Sequence, residues 1–313
     1  MAQGGYVAVA GGVNVDIGGI PFGQLIPGDS NPGKVSVTLG GVGRNIAHNA
    51  RLLGVEPRLL TAVGEDLYAE HVTESCRRAG IDLSEALRVP GGRTSTYLFL
   101  CGREGDMMAA VSDMTLCDEI TPGYLSAHAE TLNGARVVAA DTNIPEDSLR
   151  WLGEHCDAPL FVDPVSTRKA EKIRGMLGKI HTLKPNRMEA EALTGVKITD
   201  RDSLMMAAGK LLGEGIHRVF ISLGADGVLA AERETWVIVP ACPSKVRNAT
   251  GAGDAFMGAL IRAYYDGMNI EETARYAAAA AALAVESPGT ICEEMSHERV
   301  MERMAEVPAG TRL

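Results

Sequence analysis

The sequence predicts an α/β protein of three layers, α/β/α, with a mainly parallel central sheet and a small β-sheet lid. Two observations carry this. Short, nearly continuous apolar runs alternate along the chain with helical segments, the pattern of parallel strands buried on both faces. Two other stretches alternate polar with apolar residues and break that rhythm, as half-exposed strands do.

The buried strands are expected over Tyr6–Ala10, Arg58–Val63, Arg136–Ala140, Pro159–Asp163, Thr182–Lys184 and Val219–Ser222. Helices are expected between them, over Asn45–Leu53, Leu67–Ala79, Glu146–His155, Arg168–Leu177, Arg187–Leu193 and Leu204–Glu214. Two more, Ala252–Tyr265 and Glu271–Val285, close the series. Strand–helix repetition of this kind implies helices on both faces of one sheet. The exceptions are Lys34–Thr38 and the pair Ser95–Leu100 and Met107–Val111, which flank a turn at Gly102-Arg103-Glu104-Gly105-Asp106. They fit a small antiparallel sheet outside the main layer, either a lid over a site or a subunit contact. No linker, repeat or low-complexity tract divides the chain. One domain over 1–313 is expected, with lid segments at about 17–39 and 93–112.

Composition bounds the function. The chain has 313 residues, 46% hydrophobic and 22% charged, enough for a sizeable core. Its net charge of −10 argues against a nucleic-acid partner, which requires a basic face. A small anionic ligand is still compatible, because backbone amides bind phosphate locally. No run reaches membrane-spanning length and no secretory signal pattern opens the chain, so a cytoplasmic protein is expected. The six cysteines are scattered without a C-x-x-C pair, which fits reduced thiols rather than a zinc or redox motif.

The most informative motif is Asn248-Ala249-Thr250-Gly251-Ala252-Gly253-Asp254. It places small residues and an acid at a helix start, where unpaired N–H groups and the helix dipole favour an anion. Phosphoryl transfer to a hydroxyl needs such a pairing: donors for the phosphate and an acceptor for the hydroxyl proton. An Asp with its ordinary pKa of about 4 is ionised at neutral pH.

Four further motifs admit two readings each. Gly40-Gly41-Val42-Gly43-Arg44-Asn45 is a glycine turn with an Asn helix cap, or a close backbone approach to a ligand. Asn14 and Asp16 follow the first strand, where ligands of open α/β sheets bind; Asp16 initiates a turn or accepts sugar hydroxyls. Asn186 and Glu189, three apart at a helix start, form a capping box or hold hydrated Mg²⁺ beside phosphates. Ser222-Leu223-Gly224-Ala225-Asp226-Gly227 is a strand-to-strand turn or a loop for a nucleotide. Neither the P-loop pattern nor the dinucleotide fingerprint is present.

In this order the motifs resemble the ribokinase-like (pfkB) family of sugar and nucleoside kinases, over essentially the whole chain. Longer stretches are similar to the pseudouridine kinase branch: Asp29–Lys34, Gly40–Ala47, Val111–Met114, Phe161–Ser166 and His181–Arg187. The resemblance implies transfer of a phosphoryl group from ATP to the 5′-hydroxyl of pseudouridine, giving ADP and pseudouridine 5′-phosphate. A kinase for ribose or another nucleoside is the alternative, and a non-catalytic sugar- or nucleotide-binding relative is a third.

By the same resemblance Asp254 is the general base, and the Gly251, Ala252 and Gly253 amides stabilise the transferring group. Asp16 binds ribose hydroxyls, with Asn14, Gly41 and Asn45 beside it. Asn143 stands where these kinases often place a ribose-binding acid. Ser30, Asn31 and Thr96 are candidates for lid and base contacts. Asn186, Ser222, Gly224, Gly227 and Gly253 are assigned to ATP. Asn186 and Glu189 are assigned to Mg²⁺ through water. ATP and Mg²⁺ are the implied cofactors. K⁺ is left open, because Asn248 replaces an acid that helps define a monovalent-cation site in many relatives; Thr250, Ser287 and Gly289 still offer oxygens. The expected partners are a small-molecule nucleoside and a second copy of the chain, joined through the lid.

Overall fold

The computed structural model describes residues 5–102 and 106–313. A nine-stranded sheet forms the middle layer. From one edge its strands are Glu56–Leu60, Tyr6–Ala10, Val137–Asp141, Leu160–Asp163, Thr182–Leu183 and Arg218–Ser222, all parallel. Val228–Glu232, Trp236–Val239 and Thr311–Arg312 then continue it antiparallel. This antiparallel edge is an addition to the expected series. It begins at the Ser222–Gly227 turn, so the strand-to-strand reading of that loop is realised.

Period-two alternation divides the core. Val7 and Val9 of the first strand pack with the helices Val42–Leu52, Ala252–Tyr265 and Ile270–Glu286 on one face. Ala8 and Ala10 pack with Glu146–His155, Arg187–Thr194 and Arg201–Gly213 on the other. These are the three layers expected. The helix expected over Arg168–Leu177 is a short α turn, Thr167–Ala170, that tightens into a 3₁₀ stretch over Glu171–Lys179 with a kink at Met176. Gly175 and Gly178 lie in that stretch, and glycine weakens an α-helix interior.

A separate four-stranded sheet comprises Gly33–Gly40, Asn14–Pro21, Thr96–Cys101 and Met107–Asp113, in that spatial order. Its central pairing, Asn14–Pro21 with Thr96–Cys101, is parallel, so the sheet is mixed and not wholly antiparallel as expected. Gly102 N–H donates to Asp106 O at 2.7 Å across the turn, while residues 103–105 lie outside the described residues. Among the described residues no helix is long and apolar enough to cross a membrane, and all six cysteines are free.

Candidate active site

The site begins at the start of the helix Ala252–Tyr265. Gly251 precedes it with a φ of 85°, and a side chain there would put Cβ 2.1 Å from the Thr290 carbonyl. Only glycine fits both constraints. No side chain caps this helix, which leaves its first-turn N–H groups open to an anion. Asp254 stands in that first turn.

The Asp254 carboxyl is buried, with 9% of the residue exposed. Asn45 Nδ2 donates to its Oδ2 at 2.8 Å. Burial, reinforced by the Asp163 carboxylate, pushes its pKa up to about 8, against the pull of the Asn45 hydrogen bond and of Lys184. The ordinary value expected from the sequence is thereby corrected. A base whose pKa lies near the operating pH combines availability with proton affinity.

Lys184 Nζ pairs with Asp163 Oδ2 at 3.1 Å, both side chains being buried. Burial alone would lower the Lys184 pKa, but Asp163 and Glu189 reverse the direction and hold it above its ordinary value. A Cβ built on Gly253 would stand 3.2 Å from this ammonium. A positive charge thus reinforces the open helix start.

An open cleft of about 1950 Å³ lies beside Asp254, and Asn14, Asp16, Gly41, Asn45 and Asn143 also line it. Asn14 and Asp16 stand on the small sheet, with Asn14 Nδ2 donating to Asp16 Oδ1 at 2.6 Å. Burial raises the Asp16 pKa, while Asn14 and Arg44 oppose the rise. Gly41 has a φ of 98° and abuts the Gly12 carbonyl. Asn143 Oδ1 accepts from Lys169 Nζ, and its N–H donates to the fully buried Asp141.

Three predicted residues stand elsewhere. Ser30 and Asn31 belong to a loop away from the cleft lining. The Asn31 side chain is occupied by its own loop, accepting from Ile26 N–H and donating to the Ile26 and Asp29 carbonyls. Thr96 is paired with Val15, whereas Tyr97 is paired with Asp16. Strand alternation therefore puts Thr96 on the face opposite Asp16, and Tyr97 lines the cleft instead.

Of the residues assigned to ATP and Mg²⁺ from the sequence, Asn186 and Glu189 form the full capping box: Glu189 N–H donates to Asn186 Oδ1 and Asn186 N–H to Glu189 Oε2. Among the described residues no hydrogen bond is made to Glu189 Oε1, so the box is compatible with a water-mediated contact to a metal. A bridge between Asn186 and Ser222 brings this motif beside the turn that holds Gly224 and Gly227. These residues lie outside the cleft lining. In the Asn248 loop, Asn248 Oδ1 accepts from Thr250 N–H at 2.9 Å and Nδ2 donates to Pro288 O at 3.3 Å.

Motif reading did not single out Asp141, Asp163, Lys184, Arg44, Tyr97 or Lys169. The first three had a usable signal, since each stands at or just past the carboxyl end of a parallel strand. Arg44 and Tyr97 carried none that could be separated from an ordinary helix or lid position.

Residues 6–295 match the model of the pfkB family of carbohydrate kinases. The chain is 39% identical over 304 residues to the pseudouridine kinase of Escherichia coli K12, covering 96% of this chain and 97% of that protein. It is 37% identical over 280 residues to the uncharacterized sugar kinase YeiI of the same organism, covering 89% and 77%. A carbohydrate kinase from Agrobacterium tumefaciens superposes with a TM-score of 0.87 at 32% identity, covering 99% of this chain and all of that one. The motifs, the mainly parallel sheet with its separate small sheet, and these matches together establish that the chain belongs to the pfkB family of carbohydrate kinases and has the ribokinase-like fold.

Proposed function

We propose that this kinase phosphorylates the 5′-hydroxyl of pseudouridine with ATP. The observation that carries the chemistry is the Asp254 carboxyl, buried at an uncapped helix start and hydrogen-bonded to Asn45. Asp254 takes the hydroxyl proton, the substrate oxygen bonds to the γ-phosphorus, and the bond to the β-phosphate bridging oxygen breaks to release ADP. The Gly251, Ala252 and Gly253 amides and Lys184 face the charge of the transferring group. Asp16, with Asn14, Gly41 and Asn45, holds the ribose. Asn143, pinned by Lys169, stands toward the same cleft.

Ser222, Gly224, Gly227 and Asn186 are proposed to line the nucleotide. Mg²⁺ would arrive with the phosphates and meet Asn186 and Glu189 through water, supplying charge neutralisation there. Water competes with the sugar as acceptor, so the small sheet is proposed to close over the cleft before transfer. Val35, Leu98 and Val111 of this sheet lie outside the cleft lining and are 70%, 45% and 67% exposed, which supports a homodimer through the lid. A cytoplasmic location accords with this reading.

The substrate choice rests on the 39% identity to a pseudouridine kinase. Similarity to a sugar kinase at 37% supports ribose or another nucleoside as the second reading. A coupled ADP-release assay comparing pseudouridine, uridine, adenosine and ribose separates them. Preference for the C-linked nucleoside supports the first; preference for ribose overturns it. ADP release with none of the four favours the non-catalytic reading.

A further inference from the structure

The amide that holds the Asp254 carboxyl is itself held. Arg44, on the same helix as Asn45, is buried, with 6% exposed. Its Nη1 donates to Asn45 Oδ1 at 3.2 Å, and its Nη2 donates to Ser75 Oγ at 3.4 Å on the helix Leu67–Arg78. Among the described residues no other side chain donates to Asn45 Oδ1. A guanidinium can only donate, and an ionised carboxylate can only accept. An amide between them satisfies both in one orientation: oxygen toward Arg44, NH₂ toward Asp254. The flipped amide would set its NH₂ against the cation and its oxygen against the carboxylate.

We propose that Arg44 is a positioning residue for phosphoryl transfer, fixing the Asn45 amide so that its N–H holds the Asp254 carboxylate in place. The proposal rests on the kinase reading for its purpose, but its geometry is independent of substrate. Asp254 also faces Asp163, Asp141 and Lys184 from the ends of neighbouring strands. Arg44 in turn faces Asp16 from the small sheet, His48 from its own helix and Cys76 from the next. None of these groups bonds the Asn45 oxygen, so the amide's orientation is assigned to Arg44.

The test is a ¹³C-carboxyl NMR titration of the resting protein, with D254N identifying the Asp254 signal. R44M should raise the Asp254 midpoint by about one pH unit, the worth of one charge-assisted hydrogen bond. R44K, which restores a cationic donor, should bring it back toward wild type. N45A should raise it as well, and R44M combined with N45A should match N45A alone. A further rise in the double variant would mean that Arg44 acts by its field and not through the amide, which overturns the proposal. An unmoved midpoint in R44M overturns it too. If R44M does not fold, S75A frees the other end of the guanidinium: an upward shift supports the proposal and an unchanged titration rejects it. A merely structural Arg44 would lower thermal stability without moving any midpoint. Failure of this titration leaves the ADP-release assay untouched, and absence of ADP release leaves the titration readable.

Discussion

Asn45 donates to the Asp254 carboxyl at 2.8 Å across 209 residues of sequence. The contact joins the two glycine-rich motifs, one opening the helix Val42–Leu52 and the other opening Ala252–Tyr265. These helices pack against each other on one face of the sheet, and a Cβ on Gly258 would meet Asn49 at 2.7 Å. The small residue lets the two helices converge, so residues of both motifs meet beside one cleft.

Asp254→Asn should lower turnover by about 10²–10⁴-fold while nucleoside binding persists. The substitution keeps shape and removes the proton acceptor. Steady-state ADP release, paired with calorimetric binding of the nucleoside, measures the two effects separately. Unchanged turnover would remove Asp254 from the base role.

The raised pKa of Asp254 has consequences for both rate and stability. A base must be ionised, so kcat/KM should climb with pH and level off above about 8. A rate already level from pH 5 upward would contradict that value. Stability runs the opposite way. Below pH 3.8, the ordinary value, both folded and unfolded forms hold the proton. Between there and about 8 the unfolded chain releases it while the folded chain keeps it, so stability falls as pH rises. Asp254→Asn abolishes this slope. The melting temperature of the variant should exceed that of wild type increasingly toward pH 8, with little difference near pH 4.

The shift in Asp254 also marks where sequence reading stops. The strand series was legible because its apolar runs are buried on both faces. The Ala252–Tyr265 helix was legible to the residue because Gly251 and Asp254 announce its start. Burial of a carboxyl is a sum over distant neighbours, and Asp163 and Lys184 meet Asp254 only once the sheet orders their strands. Thr96 shows the same limit at shorter range. One residue of strand register decides whether Thr96 or Tyr97 faces the cleft, and register came from pairing with Val15 and Asp16. Ser30 and Asn31 carried polar side chains suited to a ligand, yet Asn31 spends its amide closing its own loop.

Asp16→Ala should raise KM for the nucleoside by about 10- to 100-fold, as expected when hydroxyls lose a charged acceptor. Asp16 lines the cleft from the small sheet and makes no hydrogen bond to the proposed base Asp254, so turnover at saturation should suffer less. A fall confined to kcat, with KM unmoved, would place Asp16 outside ribose binding.

Glu189 offers a way to separate a cap from a metal contact. Glutamine at this position still completes a capping box, so Glu189→Gln should leave the melting temperature nearly unchanged. Asn186→Ala removes the cap acceptor and should cost about 1 kcal/mol of stability. If the Glu189 charge attracts hydrated Mg²⁺, the glutamine variant should need several-fold more Mg²⁺ for half-maximal turnover. The charge of nearby Lys184 partly offsets that of Glu189, which is why the expected change is modest. Identical Mg²⁺ dependence in wild type and Glu189→Gln would confine Glu189 to holding the helix start.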